Sequence, residues 1–412
     1  MKIQITVLAL VCLVQLGYSQ EESKILFLGN SYTYYNDLPG ILVDLAANAG
    51  QDLTESSNTP GGASLQGHSS NNTTLNLIAQ GDWDFVVLQD QSQMPSFPEG
   101  QFMADSYEYA QELNQAILGA NPCTETVFYM TWGRENGDAS NCPNWPPVCT
   151  YEGMDDLLAE RYQLMATDFS GIVSPVGKVW RYLRDNELNV DLYNSDESHP
   201  SMAGSYAAAV TFFTTIYRMD PTILTENSGL DALTAETIRE AVKQVVYLDL
   251  QAHLIGTYDI QPAFEVIIYE NTGDLEFINT SINATQYTWN INGEEFSSED
   301  VYYTADYQEV QVTLTAENVC GTSTSEVMTY GFGNSIEEKE VSPLLVYPNP
   351  VKDNVSFNKT VQRVQIKDYQ GKELETLTVN DNQVNLEHLS PGKYLLLCFT
   401  VEGEFTFEMI KE

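Results

Sequence analysis

Between residues 24 and 249 short apolar runs alternate with longer stretches whose apolar positions recur at helical spacing. The runs at 25–28, 85–88, 127–131 and 172–176 are almost unbroken in aliphatic and aromatic residues, with a weaker one at 53–57. Side chains alternate between the two faces of a strand, so a strand apolar at every position must be covered on both. Helical patterns at 38–49, 102–118, 154–168, 178–186, 202–219 and 235–249 supply that cover. The alternation predicts an α/β fold, a three-layer α/β/α doubly wound parallel sheet over residues 20–255. Asp37, just ahead of the first long helical pattern, is a residue type that caps helices.

After residue 251 the texture changes. Short β-type runs at 264–269, 274–279, 286–291, 301–303 and 308–316 are separated by Asn, Gly, Ser and Glu. They predict a small antiparallel sandwich over 256–331. Residues 332–343 are polar and acidic and read as a linker. A second all-β module is expected over 344–412, with runs at 361–367, 384–386 and 394–399. At the other end, Lys2, an apolar stretch at 5–16 and the small residues of Gly17-Tyr18-Ser19 form a signal-peptide pattern over 1–19. That stretch is too short to span a bilayer comfortably, and no later one is longer, so an exported chain with no membrane span is expected.

Charge narrows the partners. Asp and Glu number 58 against 18 Lys and Arg, for a formal net charge of −40. Such a surface repels nucleic acid and anionic membranes. Of the 6 cysteines, Cys12 lies in the leader. An exported protein keeps disulfides, and Cys142 and Cys149, bracketing a Pro-rich loop, are the best candidate pair. The odd remainder leaves a thiol free. No Cys or His spacing suggests a metal, and no cofactor is implied.

The candidate chemistry sits at the strand tips. Gly29-Asn30-Ser31 ends the first apolar run, so a serine hydroxyl is presented where doubly wound sheets bind ligands. Of 4 histidines, only His199 has an acid three residues before it, Asp196, and a helical pattern just after it. Nucleophile, base and orienting carboxylate are thus all available. Gly61-Gly62-Ala63-Ser64 can bring a backbone N–H close to a substrate, and Gln89-Asp90-Gln91-Ser92 offers amide donors directly after the 85–88 run. Trp132-Gly133-Arg134 follows the 127–131 run and falls on the same rim. There Trp132 suits stacking on a sugar ring, and Arg134 suits binding hydroxyls or a carboxylate. His68 is a further substrate-contact candidate, and the 136–150 loop with Trp145 a candidate wall of the cleft.

On these motifs residues 24–249 resemble the SGNH (GDSL-like) hydrolases, in a branch with Gly-Asn-Ser in place of Gly-Asp-Ser. The resemblance implies Ser31 as nucleophile, Asp196 and His199 as its partners, and an oxyanion hole from the N–H groups of Ser31 and Gly62. The family's Gly-x-Asn-Asp block has no match here. The resemblance then implies a glutamine amide as third donor, Gln91 with Gln89 as the alternative. Tyr287-Thr288-Trp289-Asn290-Ile291-Asn292-Gly293 and the run Val310-Gln311-Val312-Thr313-Leu314 resemble a PKD-like sandwich, favoured as a spacer because no exposed aromatic platform is evident. Tyr347-Pro348-Asn349-Pro350, Leu389-Ser390-Pro391-Gly392-Lys393-Tyr394 and the terminal Met409-Ile410-Lys411 resemble the type IX secretion C-terminal sorting domain. That resemblance implies passage through the periplasm, recognition by the secretion machinery, and release or anchoring at the cell surface.

The expectation is therefore a secreted serine esterase that deacylates a small molecule or polysaccharide, with an acetylated carbohydrate as the favoured substrate. A lipase or thioesterase on the same fold, and a non-catalytic surface binding or adhesion protein, are the alternatives.

Overall fold

Five strands, β1 Ser23–Leu28, β2 Leu53–Asn58, β3 Phe85–Leu88, β4 Glu125–Tyr129 and β5 Ile172–Ser174, form one sheet in the computed structural model. Their spatial order is β2-β1-β3-β4-β5, with every neighbouring pair parallel. The order reverses at the β1/β3 boundary, which opens a crevice beyond the carboxyl ends of those two strands. Ile25 and Phe27 join the core beneath the helices Leu38–Asn48, Val176–Asp185, Met202–Tyr217 and Ala232–Val245. Leu26 and Leu28 join a second core under Glu108–Ala120 and Tyr151–Asp168. All four are fully buried, each contributing about 1.5–3 kcal/mol. The unbroken apolar run of β1 thus serves two cores.

The described residues are 22–269, 271–306, 308–331, 344, 346–347, 349–368, 372–379, 382–400 and 403–411. The expected leader (1–19) and linker (332–343) lie outside them. The chain divides into two units, Met1–Phe332 and Gly333–Glu412.

Several expectations are corrected. The fifth strand stops at Ser174, because Pro175 has no N–H for the ladder and its neighbour Val176 opens a helix. The single helix expected at 102–118 is interrupted by a π-helical turn at Met103–Tyr107. The short helices Ser31–Tyr34, Leu65–Ser69 and Asn72–Ile78 were not anticipated, since so few residues carry no readable period. Asp37 stands at the N-cap position of Leu38–Asn48 but has left-handed backbone (φ 60°) and makes no side-chain cap bond. Instead it packs over Gly40, where a Cβ would meet its carboxylate at 2.4 Å.

Residues beyond 260 in the first unit form two antiparallel sheets. One orders Val301–Thr304, Asp274–Asn279 and Phe264–Tyr269, and the other is built on Gln286–Ile291 and Val310–Asn318. Leu275, Phe277, Trp289, Ile291 and Leu314 fill the space between them. Contrary to expectation, aromatics are exposed on this module. Tyr269 and Tyr302 are 39% and 59% exposed, with ring centroids 5.8 Å apart. A disulfide that no local spacing announced joins Cys123, just before β4, to Cys320 in the sandwich, while Cys142–Cys149 pairs as expected. The Cys123–Cys320 bridge borders a cleft of about 660 Å³ at the amino-terminal ends of β3 and β4.

The second unit contains a sheet of Val346–Tyr347, Asn354–Phe357 and Gln383–Asn385, and a four-stranded antiparallel sheet ending in the hairpin Gly392–Thr400 and Gly403–Lys411. Val355, Val364, Ile366, Leu396 and the free Cys398 are buried in its core.

Candidate active site

β1 ends at Leu28, and Gly29-Asn30 turn the chain into the short helix that Ser31 begins. Gly29 is required by space, since a Cβ there would lie 2.5 Å from both Gln89 Oε1 and Thr33 Oγ1. Asn30 is the knot of the turn. Its N–H donates to Gln89 Oε1 (2.9 Å), its Nδ2 to the carbonyls of Ala63 (2.8 Å) and Asp90 (3.2 Å), and its Oδ1 caps the Tyr32 N–H (3.0 Å). Three loops, after β1, β2 and β3, are thereby tied to one side chain. As first residue of a helix, Ser31 also has an N–H without an intrahelical acceptor.

His199 meets Ser31 from the far side of the sequence. Its Nε2 lies 2.8 Å from Ser31 Oγ, and its Nδ1 lies 2.5 Å from Asp196 Oδ2. The carboxylate can only accept, so Nδ1 carries the proton and Nε2 turns a lone pair to the serine hydroxyl. Asp196 Oδ1 accepts the N–H groups of Ser198 (3.1 Å) and His199 (2.9 Å), which folds the loop back on itself. Burial acts to raise the Asp196 pKa, but the His199 side chain and these two amides outweigh it and hold the carboxyl below its ordinary value.

Aromatic packing fixes this loop. Tyr35 stacks on the His199 ring at 4.5 Å, and Tyr32 Oη lies 2.6 Å from Ser198 Oγ. Asn36, with left-handed backbone (φ 53°), donates through Nδ2 to the carbonyls of Pro200 and Ser201. None of these was singled out in the sequence, although Tyr32, Tyr35 and Asn36 crowd directly behind Ser31.

A cavity of about 250 Å³ lies over Ser31 and His199, and Gly62, Gln91, Ser92 and Arg134 help to line it. Gly62 has φ +72°, the left-handed region that favours glycine, and a Cβ there would meet nothing within 4 Å. Its backbone shape, rather than lack of room, calls for glycine. Gln91 is held at the cavity wall by Gln91 N–H to Asp90 Oδ1 (2.7 Å) and by its Oε1 accepting from Gln93 N–H (2.9 Å). Gln89 points the other way. It is fully buried, its Oε1 accepts from Asn30 N–H and Thr33 Oγ1, and its amide donates to the Asp90 carbonyl.

Asp90 organises the loops from beneath. Its Oδ1 accepts the N–H groups of Leu65 (2.9 Å) and Gln91, and its Oδ2 accepts Ser106 Oγ (2.5 Å) from the π-helical turn. Burial pushes its carboxyl up to about 6, against the pull of those hydrogen bonds.

Three expectations are overturned. Trp132 is fully buried between Tyr32 (4.7 Å) and Trp180 (3.8 Å), both nearly parallel to it, so no face is left for a sugar. Its indole N–H donates to Ser198 O (3.1 Å) and braces the His199 loop. His68 is buried too. The Gly29 carbonyl, 2.8 Å from Nε2, places the proton there, and Nδ1 accepts from Thr74 Oγ1 (2.8 Å). It supports the Gly29-Asn30-Ser31 turn from behind. The 136–150 loop supplies no lining residue of the cavity. It buttresses the loop after β3 instead, through Trp145 Nε1 to Ser96 O (2.9 Å) and Gln93 Nε2 to Asp138 Oδ2 (2.5 Å).

Residues 345–412 match the secretion system C-terminal sorting domain. The chain therefore carries the signal for type IX export, which ends in release or attachment at the cell surface. Among the described residues no helix is long and apolar enough to cross a membrane. No curated protein matches the chain.

Solved structures similar to it include a DUF4886 family protein from Bacteroides uniformis, at 18% identity and a TM-score of 0.47 over 56% of this chain and 95% of that one. A candidate SGNH hydrolase from Slackia heliotrinireducens is 26% identical with a TM-score of 0.39, over 48% of this chain and all of that one. An acetyl xylan esterase is 16% identical with a TM-score of 0.35, over 47% and 99% of the two chains.

Proposed function

We propose that the chain is an exported serine esterase that removes a small acyl group, most simply acetyl, from a carbohydrate. The observation that carries this reading is the hydrogen-bonded series Ser31–His199–Asp196 opening into a small cavity. Ser31 Oγ attacks the ester carbonyl while its proton passes to His199 Nε2. The imidazolium is stabilised by Asp196, which its hydrogen bonds keep ionised. The carbonyl oxygen, now negative, is held by the N–H groups of Ser31 and Gly62 and the Gln91 amide. His199 then protonates the leaving alcohol, and water repeats the sequence on the acyl-serine to release the acid.

A short acyl group is favoured over a fatty one because no aliphatic side chain lines the cavity among the described residues. A lipase would need an apolar surface for its chain. The test is acetate release by the full-length protein from 4-nitrophenyl acetate and from acetylated polysaccharides. Ser31→Ala is expected to lower turnover by at least roughly 10⁴-fold. Equal rates in the two proteins would refute the assignment of the nucleophile.

A further inference from the structure

We infer that the cavity takes an ester bearing a carboxylate close to the reacting carbonyl, with Arg134 as the residue that selects it. The inference rests on the esterase reading and names its substrate class. Among the described residues that line the cavity, none is an acid, and Arg134 is the only one with a fixed positive charge. In a chain with 58 acidic and 18 basic residues this is a local reversal of the general charge. The surrounding field repels anions, so a cavity built to accept one needs its own cation.

The Arg134 guanidinium is also underused. It has five N–H donors, yet among the described residues its one ion-pair contact is with Asp138 Oδ1, at 3.5 Å. Asp138 is already served by Gln93 Nε2 (2.5 Å), Asn141 Nδ2 (2.6 Å) and Ser140 N–H (3.1 Å). Among the described residues Arg134 Nε is enclosed without an acceptor. The neighbouring guanidiniums are committed elsewhere. Arg181 pairs with Asp155 and Asp156, and Arg184 donates to Glu135 O (3.1 Å) and stacks over Tyr151 at 3.9 Å. Enclosed donors left unpaired are costly. A planar guanidinium on a cavity wall matches a carboxylate, which accepts two parallel bonds.

The carboxylate can belong to the alcohol part, as in an acetylated uronic acid, or to the acyl part, as in the half-ester of a dicarboxylic acid. Two matched pairs separate these sources: acetylated methyl glucuronide against acetylated methyl glucoside, and 4-nitrophenyl hemisuccinate against 4-nitrophenyl butyrate. With the full-length protein, the anionic member of one pair should exceed its neutral counterpart in kcat/KM by roughly ten- to hundredfold. The preference should fall with added salt. In Arg134→Gln it should be lost chiefly through KM, and Arg134→Lys should restore part of it. No anionic preference in either pair would overturn the inference. An equal loss on anionic and neutral esters in Arg134→Gln would also overturn it, placing the guanidinium at the oxyanion instead.

Neutral-ester turnover by wild type against Ser31→Ala reads the esterase assignment separately. Should that fail, binding of methyl glucuronide against methyl glucoside, and of succinate against butyrate, to the folded protein still decides the anion site. Tighter binding of an anion, weakened in Arg134→Gln, would uphold it, and equal binding would sink it.

Discussion

Gln89 and Gln91 are two positions apart in one loop and face opposite ways. Gln89 satisfies the Asn30 N–H and the Thr33 hydroxyl in the interior, whereas Gln91 lines the cavity. Gln91→Ala should therefore lower kcat by roughly 10²–10³-fold with little change in thermal midpoint. Gln89→Ala should lower the midpoint first, because each buried donor left unpaired costs about 1–3 kcal/mol. Turnover against melting temperature for both variants checks this, and the reverse pattern would exchange their roles. The sequence places both glutamines after β3 but cannot orient them, since loop register follows from contacts made far along the chain. Trp132 fails for a similar reason. An aromatic after a strand reads equally as a platform or a brace, and only the stack with Tyr32 and Trp180 decides. Ser31, Asp196 and His199 were legible because strand tip, glycine turn and acid-to-histidine spacing each left a local mark.

Among the elements, the loop after β3 depends on a carboxyl buried against two backbone amides and the π-helical turn. The Asp90 pKa is raised to about 6, so the folded state holds its proton more tightly than the unfolded chain does. The stabilisation is fully present below the ordinary carboxylate pKa near 4 and is lost as pH rises through about 6. A shift of this size is worth roughly 3 kcal/mol. Asp90→Asn keeps an acceptor for the Leu65 and Gln91 amides and removes the titration. Between pH 4 and 7 the wild-type urea midpoint should accordingly fall more than that of the variant. Parallel pH profiles would show that Asp90 does not titrate in this range. Four of the parallel strands and the long helices were readable because continuous apolar runs and helical spacing are strong signals, whereas the mostly polar β2 left only a weak one. The π-helical turn, which carries Ser106 to Asp90, has no such signature and is set by the partner it reaches.

Across the whole molecule, the Cys123–Cys320 bridge joins the sandwich to the amino-terminal ends of the strands, while Ser31 stands beyond a carboxyl end. The two cysteines are 197 positions apart, too far for any spacing rule to have paired them. Closing so long a loop stabilises by about 5 kcal/mol in the chain-entropy account. Cys320→Ser should lower the denaturation midpoint yet leave ester turnover within about twofold, because the bridge lies at the end of the sheet away from the site. Loss of activity ahead of unfolding would instead link the sandwich to catalysis. Turnover and calorimetry on the same samples distinguish the two.

The proposed chemistry stands or falls on Ser31 being a nucleophile activated by His199. The most direct measurement is the intact mass and peptide map of the folded, full-length protein after treatment with a fluorophosphonate. One phosphonyl group per chain is expected, on the peptide containing Ser31, with labelling slowed by orders of magnitude in His199→Ala. A natively folded protein that takes no label, or takes it on another residue, would contradict it.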